Sequence, residues 1–120
     1  MSNEFEKTWQ TYSAAWKAAS EHERQQLFEA AVDPECNYAD PLISVHGWPA
    51  LSGYVANFQR QFPGGHFVTT KFTTHTRKCL VHWEMRGARD EVLSEGVSYG
   101  EFSEAGKLLT ITGFFAVPSA

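Results

Sequence analysis

The chain has 120 residues, of which 42% are hydrophobic and 20% charged, and its formal net charge at pH 7 is −4. This length predicts a single domain over residues 1–120, with a core large enough to need neither disulfides nor a structural metal. Acidic and basic residues are interspersed without a basic run, which argues against nucleic acid as a partner, and no apolar stretch approaches the roughly 18 residues of a membrane span.

The first residues and the cysteines favour a cytoplasmic location. The chain begins with Met1 and continues polar and acidic, whereas a secretory signal has positive charge followed by an apolar segment. Cys36 and Cys79 are the only cysteines and lack CxxC spacing, which is typical of free thiols in a reducing compartment.

The first half of the chain has the apolar periodicity of helices. A first helix is predicted from residue 3 to about residue 20, because one face is marked at helical spacing by Phe5, Trp9, Tyr12 and Trp16. Ser20 and Glu23 form a capping pattern that predicts a second helix to about residue 32. Residues 36–40 are predicted to be extended, and a third helix is predicted over residues 47–62.

The second half is rich in β-forming residues. Strands are predicted near residues 67–77, 79–86, 92–103 and 107–117, and short connections make them antiparallel. Helices followed by strands indicate the α+β class. Phe114 is predicted to face out of the sheet, and an apolar outer face fits burial against a second subunit.

Several short motifs occur in a recognisable order along the chain. They are Tyr38-Ala39-Asp40-Pro41, Gly47 before a helix, Pro63-Gly64, Trp83 in a strand, and Phe102-x-x-x-Gly106-Lys107 before the last strand. This order resembles the nuclear-transport-factor-2-like superfamily, and within it the SnoaL-like polyketide cyclases and ketosteroid isomerases. The resemblance covers nearly the whole chain. It implies a cone-shaped, curved antiparallel β-sheet closed at one end by three helices, and a homodimer formed through the outer face of the sheet.

The resemblance implies the fold more firmly than the function, since the superfamily includes enzymes, non-catalytic ligand binders and protein-association modules. Three hypotheses therefore stay open for this chain. It is a cofactor-independent enzyme of the isomerase, cyclase or dehydratase kind, a binding domain for a small hydrophobic ligand, or an association module. The first two require a pocket for a small apolar or aromatic carbonyl compound, and none requires a cofactor.

Asp40 and Tyr12 are the candidate catalytic residues. In ketosteroid isomerases an Asp-Pro pair at this place supplies the general base, and a tyrosine on the first helix donates to the oxyanion. Asp40 and Tyr12 match those positions. The alternatives are that Asp40 caps a turn and that Tyr12 is an ordinary core residue.

Ser98 stands where the isomerases have a second oxyanion donor, a protonated aspartic acid. Serine donates a weaker hydrogen bond, so steroid isomerase activity is not expected. Gly96 and Gly100 flank it and predict a roomier wall or a strand bend.

The remaining ligand-binding candidates are mostly apolar, and each has the alternative of being simple core. They are Trp16, Tyr38, Val55, Phe58, Val81, Trp83, Met85, Ile111 and Phe115, with His66 at the rim of the cavity. No metal site is expected, because His75 and His82, predicted to face each other across a hairpin, lack a third ligand.

Overall fold

A computed structural model describes residues 3–117 of the protein. In chain order its elements are helix α1 (Asn3–Ala14), a short 3₁₀ helix (Ala15–Lys17), helix α2 (Glu21–Ala31), strands β1 (Val32–Asp40) and β2 (Ile43–His46), helix α3 (Gly47–Gln61), and strands β3 (His66–His75), β4 (Lys78–Arg86), β5 (Val92–Phe102) and β6 (Leu108–Phe114). The α+β class, the three helices of the N-terminal half and the curved sheet are as predicted.

The six strands form one sheet in the order β2-β1-β6-β5-β4-β3. Strands β3 to β6 pair with their chain neighbours in antiparallel fashion, as the short connections require. Strand β1 pairs with β6 in parallel, so the sheet is mixed. These two strands are far apart in the chain, and no hairpin constrains their relative direction.

The predicted elements differ from the observed ones mainly between residues 14 and 46. The α-helical hydrogen bonding of the first helix stops at Ala14 and a 3₁₀ turn continues to Lys17. Strand β1 begins directly after α2, and it is followed by β2, which the sequence did not indicate. The predicted capping pair is confirmed, since the Ser20 side chain accepts a hydrogen bond from the Glu23 amide at 3.1 Å.

The core packs between the helices and the inner face of the sheet. Its largest fully buried side chains are Phe28, Leu51, Leu108, Ile111, Val32, Val55, Val81 and Cys36. Alternate residues of β4 point inward, so Val81 is fully buried while its neighbour Leu80 is 42% exposed on the outer face. Phe114 is 59% exposed on the same outer side, as predicted.

A buried arginine fixes the helices relative to one another. Arg24 on α2 is 5% exposed and donates to Ser52 Oγ at 2.8 Å and to Gln59 Oε1 at 3.2 Å, both on α3. The amide of Gln59 in turn donates to the backbone carbonyls of Trp16 and Ala18. This network holds the 3₁₀ turn, and with it the Trp16 ring, against α3.

Two other expectations concern cysteine and histidine. Cys36 and Cys79 are both buried free thiols. His82 pairs with Lys71 and His75 with Lys78, so the predicted facing of the two imidazoles is wrong. Within residues 3–117, no group of three His, Cys, Asp or Glu side chains could hold a metal ion, and no helix is long and apolar enough to cross a membrane.

Candidate ligand-binding site

A cavity of about 630 Å³ lies between the helices and the inner face of the sheet. Its volume falls in the range of small-molecule sites in proteins. Its wall is mainly aromatic and aliphatic, and it is formed by Trp9, Tyr12, Ser13, Trp16, Tyr38, Asp40, Leu42, Ile43, Tyr54, Asn57, Phe58, Gln61, Phe62, Phe67, Thr69, Trp83, Met85, Leu93, Ser94, Ser98, Gly113, Phe115 and Ala116.

Most residues predicted for the site reach this wall. Both catalytic candidates, Asp40 and Tyr12, line the cavity. Of the ligand-binding candidates, those in the wall are Trp16, Tyr38, Phe58, Trp83, Met85, Ser98 and Phe115. The phenol and the carboxylate therefore face one cavity, while their roles toward a ligand stay predictions.

Four predicted ligand-binding residues are absent from the wall. Val55, Val81 and Ile111 are at most 1% exposed and belong to the hydrophobic core. A place in the core was the alternative to ligand binding for these residues. His66 is also outside the wall. Its ring nitrogens contact the Gly64 carbonyl at 3.1 Å and Asp90 Oδ1 at 3.2 Å, so polar contacts with the backbone and with the neighbouring loop hold the imidazole there.

Asp40 is the centre of the polar part of the cavity. Its Oδ2 accepts hydrogen bonds from the hydroxyls of Tyr38 at 2.7 Å and Tyr54 at 2.8 Å. Its Oδ1 accepts from the backbone amides of Leu42 at 2.8 Å and Ile43 at 3.2 Å. An ionised carboxylate offers about four acceptor positions, so these four donors occupy them all. The predicted turn-capping role is thus present together with exposure to the cavity.

Tyr54 is a residue of the site that the sequence pattern did not reveal, as are Phe67 and Gly113. It lies on the apolar stripe of α3, four residues before Phe58, where its ring fits the helical periodicity. The available signal was a polar-tipped aromatic residue on a buried stripe, because a tyrosine hydroxyl at such a position needs a partner. The partner is Asp40, 14 residues earlier in the chain.

The three tyrosines of the cavity are phenol donors over the ordinary pH range. Burial is the main cause that raises the pKa of Tyr12, Tyr38 and Tyr54 above its usual value. The nearby Asp40 carboxylate raises all three further, while the neighbouring Trp16 indole acts in the opposite direction on Tyr12. Tyr38 and Tyr54 donate their single hydroxyl hydrogens to Asp40, so Tyr12 is the phenol placed to donate a hydrogen bond to a ligand oxygen.

Ser98 is held by Trp83 on the next strand. The indole N–H of Trp83 donates to Ser98 Oγ at 3.0 Å, which leaves the serine hydroxyl hydrogen to be donated elsewhere. A Cβ at Gly96 would lie 2.3 Å from the Trp83 ring, and Gly100 packs against Cys79, Leu108 and Trp9. The expectation of a roomier wall at these glycines is therefore wrong, because neighbouring side chains fill the space.

Gly113 on β6 forms the floor beneath the polar groups. A Cβ built there would lie 3.4 Å from Asp40 Cβ, 3.7 Å from Ser98 Oγ and 3.9 Å from the Tyr38 hydroxyl. These are ordinary contact distances, so the absence of a side chain leaves room where three polar side chains converge. We call Tyr38, Asp40, Tyr54, Ser98 and Gly113 the polar corner.

Aromatic rings surround Trp16 beside the polar corner of the cavity. The Trp16 ring centroid lies 6.0 Å from that of Tyr38, 5.9 Å from Tyr54, 5.4 Å from Phe58 and 5.4 Å from Phe67. Phe67 also meets Trp83 edge-on at 5.1 Å. A flat or apolar ligand can pack against these rings next to the polar corner. We call them the aromatic wall, which consists of Trp16, Phe58, Phe67 and Trp83.

Comparison by sequence gives no match, either to a protein-family model or to a curated protein. Comparison by structure gives many matches. A SnoaL-like family protein from Agrobacterium tumefaciens superposes with a TM-score of 0.87 and 22% identity, over 96% of this chain and 99% of that one.

Two further solved structures are similar at lower identity. A SnoaL-like protein of unknown function from Burkholderia thailandensis has a TM-score of 0.75 and 14% identity, over 98% of each chain. A protein with a ketosteroid isomerase-like fold from Catenulispora acidiphila, in complex with trimethylamine, has a TM-score of 0.74 and 11% identity, over 92% of this chain and 85% of that one. The chain therefore has the nuclear-transport-factor-2-like fold, in the form found in SnoaL-like and ketosteroid isomerase-like proteins.

Proposed function

We propose that this protein is a cofactor-independent enzyme that moves a proton on a small, largely apolar carbonyl compound, with Asp40 as the general base. The observation that carries the proposal is the convergence of one carboxylate and three protonated phenols on a single aromatic-lined cavity. Enolisation requires a base that takes the proton and a hydrogen-bond donor that stabilises the enolate oxygen, and a carboxylate near phenols supplies both.

The reaction proceeds by a proton transfer that conserves all atoms. An Asp40 oxygen takes a proton from the carbon next to the carbonyl, and the electron pair of that C–H bond moves into the enolate. The carbonyl oxygen gains negative charge, which the Tyr12 phenol stabilises by donating its hydrogen bond. When the enolate is conjugated with a C=C bond, the proton returns from Asp40 to the far carbon of that system, which gives an isomer. When the substrate has a second carbonyl, the enolate carbon forms a C–C bond to its carbon, the π electrons of that C=O move to the oxygen, and this alkoxide takes the proton from Asp40, which closes a ring.

The four hydrogen bonds to Asp40 set a condition on this mechanism. Because every acceptor position is taken, one donor must move before a substrate C–H can reach Oδ2. Tyr54 is the donor best placed to do so, since it comes from a helix rather than from the strand that carries Asp40. Its displaced hydroxyl would then donate to the substrate oxygen beside Tyr12.

The same observation favours a second candidate, a binding domain without chemistry. A carboxylate satisfied by two phenols and two amides is a rigid anchor that fixes the rings of Tyr38 and Tyr54 in the cavity wall. An association module has less support, because that hypothesis expects a cavity filled by the protein's own side chains.

The cytoplasmic location has no structural test and stays a prediction.

The Asp40→Asn variant separates the two candidates. Asparagine preserves the shape but removes the base, so turnover of enolisable ketones and polyketide-like substrates should fall by about two to four orders of magnitude. Binding of the same compounds, measured by calorimetry, should change only modestly. If a broad panel yields no turnover in either protein while ligands bind, the binding-domain candidate replaces the enzyme. Unchanged turnover in the variant would remove Asp40 as the base.

We further propose that a second copy of the chain covers the outer face of strands β4, β5 and β6. This face has exposed apolar side chains, with Leu80 at 42% and Phe114 at 59%. The cross-strand register places Phe114 beside Val97 and Leu80 beside Tyr99, so these residues form one patch. Burial of such a patch in a dimer is favourable.

A further inference from the structure

The ligand cavity contains a single charged side chain. Asp40 is the one ionisable carboxylate in its wall, and no Lys, Arg or His among residues 3–117 lines it. Residues 1–2 and 118–120 carry no basic side chain either. The formal charge that the wall presents to a ligand is therefore negative.

No cation among residues 3–117 neutralises Asp40. The ion pairs found within residues 3–117 are His46–Glu35, His66–Asp90, Arg86–Glu84 and Arg86–Asp90. Neutral donors alone solvate the Asp40 carboxylate, namely two phenols and two backbone amides. A half-buried carboxylate without a counter-ion attracts a positive charge brought by a ligand.

The aromatic wall adds to this attraction of positive charge. The faces of aromatic rings carry the negative part of their quadrupole, and they attract a cation within about 6 Å of the ring centroid. Trp16 gathers Tyr38, Tyr54, Phe58 and Phe67 at 5.4–6.0 Å between centroids, next to Asp40. Several π-systems and one carboxylate thus line the same cavity.

We infer that the cavity selects its ligand by the sign of its charge, and that it prefers an organic cation, a protonated amine or a quaternary ammonium, over a neutral molecule of the same shape. Anions of that shape are rejected, because the wall offers them no cation and an unpaired carboxylate repels them. The inference rests on the proposed ligand site but not on proton transfer, since it concerns only which molecules enter.

Three ligands with one ring system test this preference. They are 1-naphthylmethylamine, 1-naphthalenemethanol and 1-naphthoate, titrated into the protein at pH 7 by isothermal calorimetry. The amine should bind at least tenfold more tightly than the alcohol, and the naphthoate at least tenfold more weakly than the alcohol. Equal or tighter binding of naphthoate relative to the amine overturns the inference.

Two variants with the same change of charge locate the cause. In Asp40→Asn the advantage of the amine over the alcohol should fall below about threefold, while the alcohol still binds. In Glu95→Gln, where the exposed carboxylate lies outside the cavity wall, the advantage should persist. An amine preference of undiminished size in Asp40→Asn would mean that the carboxylate does not cause the selection, and it would overturn the assignment of the charge preference to Asp40.

The outcomes separate this inference from the proposed function. If turnover in Asp40→Asn equals that of the wild type but the amine preference depends on Asp40, the proton-transfer proposal fails and the charge preference stands. If turnover falls but all three ligands bind equally, the charge preference alone fails. Absence of binding by all three ligands at millimolar concentration overturns the charge preference and the shared premise of a ligand cavity.

Discussion

The hydroxyl of Tyr54 on α3 donates to Oδ2 of Asp40, at the end of β1, over 2.8 Å. This contact joins the helical layer to the sheet inside the cavity, and it shares its acceptor oxygen with Tyr38 on the same strand. The position of the α3 helix and the hydrogen bonding of the polar corner therefore depend on each other. A ligand that displaces the Tyr54 hydroxyl also loosens one tie between helix and sheet.

Tyr54→Phe should lower the free energy of unfolding by about 1–3 kcal/mol, because a hydrogen bond to a charged acceptor is lost in a partly buried place. Urea denaturation measures this change. Tyr99→Phe is the matched control, since the Tyr99 hydroxyl donates a hydrogen bond to Glu101 outside the cavity wall. This variant should lose less free energy of unfolding than Tyr54→Phe. Equal losses in the two variants would mean that the Tyr54 contact has no special weight.

Gly113→Ala should weaken ligand binding at least tenfold with little effect on stability. The added methyl would lie 3.4–3.9 Å from Asp40, Ser98 and Tyr38, which is contact without clash, so it occupies the floor of the polar corner. Calorimetric titration of 1-naphthylmethylamine and thermal unfolding measure the two effects. Gly53→Ala, on an open part of α3 with nothing within 4 Å, is the control and should leave affinity unchanged.

Gly96→Ala should lower the free energy of unfolding by about 1–3 kcal/mol, as overpacking of a filled site does. The new methyl would lie 2.3 Å from the Trp83 ring and 2.7 Å from the Phe114 carbonyl. The indole must then move away from Ser98, and the tryptophan fluorescence should shift. Ser98→Ala removes the acceptor but leaves the ring in place, and it should cost about 1 kcal/mol. A Gly96→Ala protein as stable as the wild type would contradict this packing.

Stability should decrease at alkaline pH. Burial raises the pKa of the Cys36 and Cys79 thiols from 9.0 to about 12, and it raises the pKa of the cavity tyrosines above 10.0. The folded state thus holds protons that the unfolded chain releases from about pH 9 upward. The stabilisation is complete below that pH and is lost as the pH rises toward 12.

Absorbance at 295 nm and urea denaturation between pH 8 and 12 test this prediction. The tyrosinate signal of Tyr12, Tyr38 and Tyr54 should appear together with unfolding rather than as an independent titration near pH 10. Tyr99 lies outside the cavity and is not part of this expectation. The two thiols should react with a thiol reagent at pH 8 only after denaturation, since both are buried. Full tyrosine ionisation at pH 10 in a protein that is still folded would contradict the described burial.

The second subunit proposed for the outer face predicts a dimer in analytical ultracentrifugation. Phe114→Lys should give a folded monomer, because a residue that is 59% exposed contributes little to the monomer core. Leu42→Lys places the same charge at an exposed residue of the cavity wall and should leave the dimer intact. A monomeric wild-type protein at micromolar concentration would remove this proposal.

Local residue patterns were sufficient to predict several elements. The apolar stripe of the first helix and strand β4 have periods of 3.6 and 2 residues, and the Ser20 cap depends on its fixed spacing to Glu23. The α-helix ends earlier than predicted, at Ala14, and a 3₁₀ turn carries Trp16. Strand β2 has four residues, between Pro41 and Gly47, and is paired only with β1. So short a segment has no periodicity to read.

Which polar side chains meet depends on contacts between segments that are far apart in the chain. Asp40 and Tyr12 could be placed at one cavity by resemblance, but the Tyr54 hydroxyl reaches Asp40 only because of how α3 lies against β1. That placement results from many packing contacts and from the Arg24 network, none of which is local in the chain. His66 was assigned to the rim for want of this information, and Asp90, 24 residues away, holds it elsewhere.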